Sequence, residues 1–316
     1  MPHSRTPTPA QPATHSPEAL SPEARAYLAE SISANSLRAF RADLKIFTQW
    51  GGALPTTAQT VANFLADQAA TKKGSTLARY ANSLHIWHLA HGLASPVRTE
   101  VVRRDFQGIR RQQDSRPESA PPLLLADFQH VLDTLDATDA RGCRNRALLA
   151  LAFFGAFRRS EVVRIHIADL TPQPQGLLVG LRHSKANQTG RAETKAIARG
   201  PQGSPYCPVQ LLEAWLACYR ELAGPIADGP VFPAIDGDGT VRRDRPMTAA
   251  NFYQLFKKAL RQAGLNPAHY SPHSLRSGFI TSAYLHGKDP FKIKRISGHR
   301  SQATFEGYLQ DRKSVV

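Results

Sequence analysis

Apolar residues recur at helical spacing through the first third of the chain. Leu37, Phe40, Leu44 and Phe47 fall on one face and predict a helix that starts after a cap at Asn35 or Ser36. Gly51 and Gly52 stop it. A second helix is expected after Thr57, with Val61, Phe64 and Leu65 on one side. A third begins near Ser75 and carries Leu77, Tyr80, Leu84 and Trp87. A fourth takes Pro96 into its first turn and carries Val101, Val102, Phe106 and Ile109. Residues 22–111 therefore form an all-helical domain. The stretch RQQDSRPESAPP then breaks the pattern with three prolines and no apolar face. Residues 112–122 are expected to be an inter-domain linker, the alternative being a long surface loop within one domain.

Beyond that point the period is mixed. Residues 123–136 and 144–154 have helical spacing. Residues 176–183 and 193–197 are strand-like and flank a polar turn at 184–190. Helical spacing returns at 208–222 and 248–263, and three short helical segments close the chain. The expected fold is mainly α: a helical first domain, then a mostly helical α+β domain over 123–316 with a small β-sheet. Residues 1–21 are rich in Pro, Ser, Thr and Ala without an apolar centre. They are expected to be a disordered tail rather than a secretory signal.

Charge changes the picture. Lys and Arg number 40 against 25 Asp and Glu, a formal net charge of +15 over 316 residues. Such a surplus favours a polyanionic partner, with nucleic acid ahead of an anionic membrane surface and solubility alone as the plain reading. No apolar run is long enough for a transmembrane helix. Five arginines (Arg103, Arg104, Arg110, Arg111 and Arg116) gather at the linker. They suit a phosphate backbone or a solvated face equally well. Cys143, Cys207 and Cys218 match no zinc spacing and read as free thiols in a reducing compartment.

Three segments carry candidate chemistry. In AFFGAFRRSEVVRI an apolar helix ends at Gly155, Arg158 follows, and Glu161 stands three residues on, placed to orient the guanidinium. In SPHSLRSGF, Ser271 and Pro272 are suited to start a helix on which His273 and Arg276 share a face near an anion-favouring N-terminus. In ISGHRSQATFEGYLQ, Gly298–His299 precedes Tyr308 by nine residues from the histidine. Each alone has an ordinary explanation: a surface salt bridge, a polar helix start, a packing tyrosine.

Their order is what carries meaning. Arg158, then His273–Leu275–Arg276, then Gly298–His299, then Tyr308 resembles the signature of the tyrosine recombinase, or phage integrase, family. GAFRRSE is similar to that family's first arginine box, HSLR to its His-x-x-Arg box, and GHRSQATFEGY to its closing box. RHSKANQTGR resembles the β-hairpin of the catalytic lysine, which falls on Lys185. The helical domain at 22–111 resembles the core-DNA-binding domain, and 123–316 the catalytic domain, together a C-shaped clamp on DNA.

The resemblance implies a site-specific recombinase. Tyr308 is the nucleophile, and Arg158 and Arg276 stabilise charge on the phosphate. Lys185 protonates the 5′-hydroxyl leaving group. His273 assists proton movement, His299 donates a hydrogen bond to the phosphate, and Glu161 holds Arg158. It also implies a 3′-phosphotyrosyl intermediate, a homotetramer holding two double-stranded DNA sites, strand exchange through a four-way junction, and no metal or other cofactor. The expected location is the cytoplasm, in association with DNA. Arg38, Arg41, Lys72, Lys73 and Arg79 are candidates for DNA contact, with a solvated face as the alternative.

The sequence departs from the family at Arg159, often an aliphatic position, which leaves open a register with Arg159 as the catalytic arginine. Eight residues follow Tyr308, fewer than in many members, and 1–21 is too short and polar for an arm-binding domain. Rival readings are a type IB topoisomerase or hairpin resolvase, and a non-catalytic basic DNA-binding protein.

Overall fold

A computed structural model describes residues 34–113, 120–181, 193–299, 301–302 and 305–306. The tail at 1–21, Arg116, most of the expected linker, the turn at 184–190 with Lys185, and Tyr308 lie outside the described residues. The chain divides into two units, Met1–Glu118 and Ser119–Val316.

In the first unit, α1 spans Ala34–Gln49, α2 Ala58–Ala69, α3 Gly74–Ala90 and α4 Glu100–Gln113. Thr57 starts α2 by accepting a hydrogen bond from the Thr60 N–H at 3.2 Å. Phe47, Val61, Phe64, Leu77 and Leu84 meet in a core where each is almost fully buried. Phe47 and Phe64 stack edge to face at 5.1 Å. Burial of such side chains contributes about 1.5–3 kcal/mol each. Two expectations shift. Pro96 opens a separate 3-10 turn, Pro96–Arg98, and extended Thr99 parts it from α4. Helix α4 also continues to Gln113, past the point where the linker was expected to begin.

The second unit holds α5 (Leu125–Asp133), α6 (Ala140–Phe154), α7 (Arg159–Val162), β1 (Leu170–Gln173), β2 (Gly176–Leu181), β3 (Glu193–Ala198), α8 (Pro208–Ala223), β4 (Pro233–Ile235), β5 (Val241–Pro246), α9 (Ala249–Gln262), α10 (His273–Leu285) and α11 (Pro290–Ser297). Helix α6 is its axis. Asp139 caps it by accepting from the Gly142 N–H at 2.5 Å, and residues Ala147 to Phe153 are buried all round. Helices α8 and α10 pack against it. Strands β1, β2 and β3 form an antiparallel sheet, with Val179 opposite Lys195 and Leu181 opposite Glu193. The pair β4–β5 is a second small sheet. Neither β1 nor this pair has the apolar alternation that marks a strand: β5 reads VRRDRP, mostly exposed.

Helix α10 is pressed close to the chain just before α5. A Cβ at Gly278 would stand 1.8 Å from the Leu123 carbonyl oxygen. The Leu123 N–H donates to the Ser274 carbonyl at 3.0 Å, and the Leu125 N–H to Ser282 Oγ at 2.9 Å. Small residues at 274, 277, 278 and 282 permit this approach and fix the rotation of α10. That rotation determines where Arg276 points. Among the described residues no helix is long and apolar enough to cross a membrane.

Candidate active site

Helix α6 ends at Gly155, and Ala156 turns the chain with φ of 46°. Arg158 then stands at the N-terminus of α7. Its backbone N–H donates to Glu161 Oε2 at 2.8 Å, and its Nη1 to Glu161 Oε1 at 2.5 Å. One carboxylate thus fixes both the main chain and the guanidinium of the same arginine. The Glu161 side chain is 2% exposed and that of Arg158 30%, so the pair is anchored at one end and open at the other. Arg159 is exposed.

Arg276 is 1% exposed. Its Nη1 donates to the Ala156 carbonyl at 2.7 Å, and its Nη2 to His299 Nε2 at 3.2 Å. An arginine nitrogen only donates, so His299 Nε2 must accept here. Nδ1 therefore carries the ring proton and donates to Ser297 Oγ at 2.8 Å, while the Ser297 hydroxyl donates to the Lys294 carbonyl at 3.1 Å. Burial lowers the pKa of His299 to about 3, helped by the positive charges of Arg276 and Arg158. His299 is neutral at physiological pH in this state.

The turn before His299 depends on Gly298. It has φ of 68° at the end of α11, and a Cβ there would stand 2.6 Å from Glu193 Oε1. Phe305, three residues before Tyr308 in sequence, is buried against Ile280 and Ile293. Its ring lies 5.9 Å from that of His299. His273 is the first residue of α10 and opens to solvent. Desolvation lowers its pKa, and Arg276 and Arg158 lower it further. Ser271 and Pro272 do start the helix: Pro272, with helical dihedrals, occupies the cap position, and Ser271 donates its N–H to Ser274 Oγ at 3.1 Å.

The structure thus brings Arg158, Glu161, Arg276, His299 and His273 within electrostatic reach of one another. Lys185 and Tyr308 fall outside the described residues. Sequence reading missed Lys195. It is 3% exposed, and its Nζ donates to the carbonyls of Gly155 at 2.8 Å, Ala156 at 3.3 Å and Ile296 at 2.9 Å. Burial lowers its pKa to about 7, with Arg276 pushing the same way and Glu161 and Glu193 opposing. A signal did exist. Lys195 shares a strand face with Ile197, and that face is the buried one.

The candidate DNA contacts lie in the first unit. Arg38 and Arg41 are exposed on α1, with Arg38 donating to Asn35 Oδ1 at 2.9 Å. Lys72 and Lys73 are exposed in the turn before α3. Arg79 differs. It is hydrogen-bonded to the buried carboxylate of Asp43, which also accepts from Ser83 at 2.7 Å. Of the arginines near the linker, Arg103 and Arg104 both pair with Glu100, at 2.6 and 2.7 Å, and Arg110 lies 5.1 Å over the Phe106 ring.

Comparison with known proteins agrees across the length of the chain. The phage integrase family model matches residues 124–314. An integrase/recombinase XerD homolog from Selenomonas ruminantium is 33% identical over 301 residues, covering 93% of this chain and 86% of its own. The tyrosine recombinase XerD of Xanthomonas campestris pv. campestris is 24% identical over 296 residues, covering 90% of this chain and 84% of its own. Two solved structures share the fold. A XerH site-specific recombinase bound to a palindromic difH substrate has a TM-score of 0.59 at 17% identity, covering 85% of this chain and 73% of that one. A lambda integrase dimer bound to a COC′ core site has a TM-score of 0.60 at 15% identity, covering 91% and 75%.

Proposed function

Because the chain belongs to the phage integrase family of tyrosine recombinases, we propose that its buried cation cluster grips one DNA phosphate while Tyr308 attacks it. The protein is a DNA breaking and rejoining enzyme that acts in site-specific recombination. The observation that carries the proposed site is the convergence of Arg158, Arg276 and His299. Arg276 is fixed between the Ala156 carbonyl and His299, and the Ala156 turn leads directly to Arg158.

The chemical problem is to expel an alkoxide from a stable phosphodiester. Negative charge grows on the non-bridging oxygens in the transition state. Pre-positioned guanidinium groups stabilise that charge without reorganising. Arg158 and Arg276 take this role. Glu161 neutralises part of Arg158's charge and fixes its aim, while its partly open face remains for the phosphate. The exposure of Arg159 favours Arg158 as the catalytic arginine.

A tyrosine phenol has an ordinary pKa near ~10 and needs help to become a nucleophile. His273, at the mouth of the cluster and largely unprotonated at neutral pH, suits proton movement there. His299 must donate to the phosphate, yet its Nε2 accepts from Arg276 in the DNA-free state. An arriving phosphate competes for the Arg276 N–H and adds negative charge among the cations. Both effects favour a proton on Nε2. Lys185 protonates the departing 5′-oxygen. Attack by Tyr308 leaves a 3′-phosphotyrosyl bond and a free 5′-hydroxyl, and reversal by a new 5′-hydroxyl rejoins the strand. The phosphoester is conserved, so rejoining needs no external energy. Double-stranded DNA is the partner, four copies hold two sites, strands exchange in pairs through a four-way junction, and the reaction takes place in the cytoplasm.

The test uses a nicked duplex carrying the site that the protein selects from a random-sequence pool. Wild type should accumulate a covalent protein–DNA adduct, and Tyr308→Phe should form none. An adduct with Tyr308→Phe assigns the nucleophile elsewhere. No adduct with wild type removes the proposal.

A further inference from the structure

We propose that Lys195 is a positioning residue for strand cleavage, its ammonium clasping the turn that leads to Arg158 and the end of α11 that leads to His299. The inference rests on the function proposed above. Three donors on one nitrogen meet three carbonyls: Gly155 and Ala156 from the turn after α6, and Ile296 from the last turn of α11. The Ala156 carbonyl accepts from Arg276 as well. Lys195 therefore ties together the segments that lead to Arg158 and His299, far apart in sequence, and shares the Ala156 carbonyl with Arg276. Its Nζ also lies 4.9 Å from the ring centre of Phe157, the neighbour of Arg158.

Burying an ammonium is costly, and an apolar side chain would avoid that cost. Lys195 occupies an inward strand position beside Ile197, where such a residue would fit the pattern. What an apolar residue lacks is the three-way bond. Without it, the Gly155–Ala156 turn and the α11 terminus lose their shared anchor. Lys195 senses Arg158 and Arg276 on one side and the carboxylates of Glu161 and Glu193 on the other, and when it is protonated these five groups carry one excess positive charge. That excess suits a phosphate diester. The Lys195 amine itself is turned to main-chain oxygens, which separates its role from that of a proton donor to the leaving group.

The experiment compares wild type, Lys195→Met and Lys195→Arg on the nicked duplex described above, and on the same duplex with sulfur replacing the bridging 5′-oxygen. A sulfur leaving group needs no proton. Lys195→Met is expected to form adduct about 10–100-fold more slowly, as misplacement of reacting groups by a fraction of an ångström does. Its DNA affinity should stay within about twofold of wild type, while its melting temperature should fall modestly because buried carbonyls lose their donor. Bridging sulfur should not restore its rate, and Lys195→Arg should recover part of it. Adduct formation at the wild-type rate by Lys195→Met overturns the inference alone. So does a joint fall in rate, affinity and melting temperature with no recovery in Lys195→Arg, since that marks a purely structural lysine. Restoration by bridging sulfur also overturns it, by making Lys195 the acid. Absence of an adduct with wild type removes the proposed function and this inference with it.

Discussion

The two units of this protein use positive charge in opposite ways. In the first unit Arg38, Arg41, Lys72 and Lys73 are exposed. In the second, Arg276 and Lys195 are 1% and 3% exposed, with Arg276 donating to the Ala156 carbonyl and His299 and Lys195 to main-chain carbonyls. Exposed cations act on DNA through long-range attraction and release of counterions, which salt weakens. Buried cations are screened far less and are held in place before the substrate arrives, which suits stabilisation of one transition state. Under the proposed function, the same residue types would serve affinity in one unit and chemistry in the other. Arg79 breaks the pattern: it too is exposed in the first unit, but its guanidinium is committed to the buried Asp43 carboxylate.

The sharpest way to break this contrast is to remove a buried cation. Arg276→Ala should slow adduct formation by about 10²–10³-fold, the usual loss for one pre-positioned charge donor. Site affinity and its salt dependence should change little. A salt slope that flattens along with the rate would mean that Arg276 serves binding instead.

Arg79→Ala should act on stability. Asp43 is 1% exposed and would lose its charged partner, at a cost of about 1–3 kcal/mol. Thermal melting of the variant checks this, and an unchanged melting temperature would contradict it.

His299 offers a pH-dependent test. Its pKa is about 3 in the folded protein against 6.5 ordinarily, so the unfolded chain binds the extra proton between these values. Its contribution therefore turns against the folded state as pH falls from 6.5 towards 3. Imidazole NMR should find His299 neutral with Nδ1 protonated down to about pH 4, and its pKa should rise when DNA binds. Titration near the ordinary value in free protein would contradict the buried, cation-flanked setting.

The smallest effects belong to the exposed set. Arg38→Ala, Arg41→Ala, Lys72→Ala and Lys73→Ala should each weaken binding across sequences alike. Where the side chain meets a phosphate, the salt slope should fall by about one. An unchanged slope assigns that residue to the solvated face.

This division also explains what the sequence could reveal. The Arg158–Glu161 pair was legible because both partners lie within one helical turn, and the bond between them is local. The helices of both units were legible from apolar spacing, with Pro96 misplaced because a proline suits a 3-10 turn as well as an α-helix. Lys195 was not, because its partners lie 40, 39 and 101 residues away. The commitment of Arg79 was hidden for the same reason, with Asp43 36 residues distant. Strand β5 was hidden because Arg242 and Arg245 are drawn to Asp236 and Arg243 to the Ala223 and Pro225 carbonyls, which leaves no apolar alternation.

The most direct measurement is mass spectrometry of the protease-digested covalent adduct. The phosphate is expected on the tyrosine of the peptide containing Tyr308, joined to the 3′ end of the cleaved strand, with a free 5′-hydroxyl on the other fragment. A linkage to any other residue, or to a 5′ phosphate, would contradict attack by Tyr308 on a phosphate held by Arg158 and Arg276.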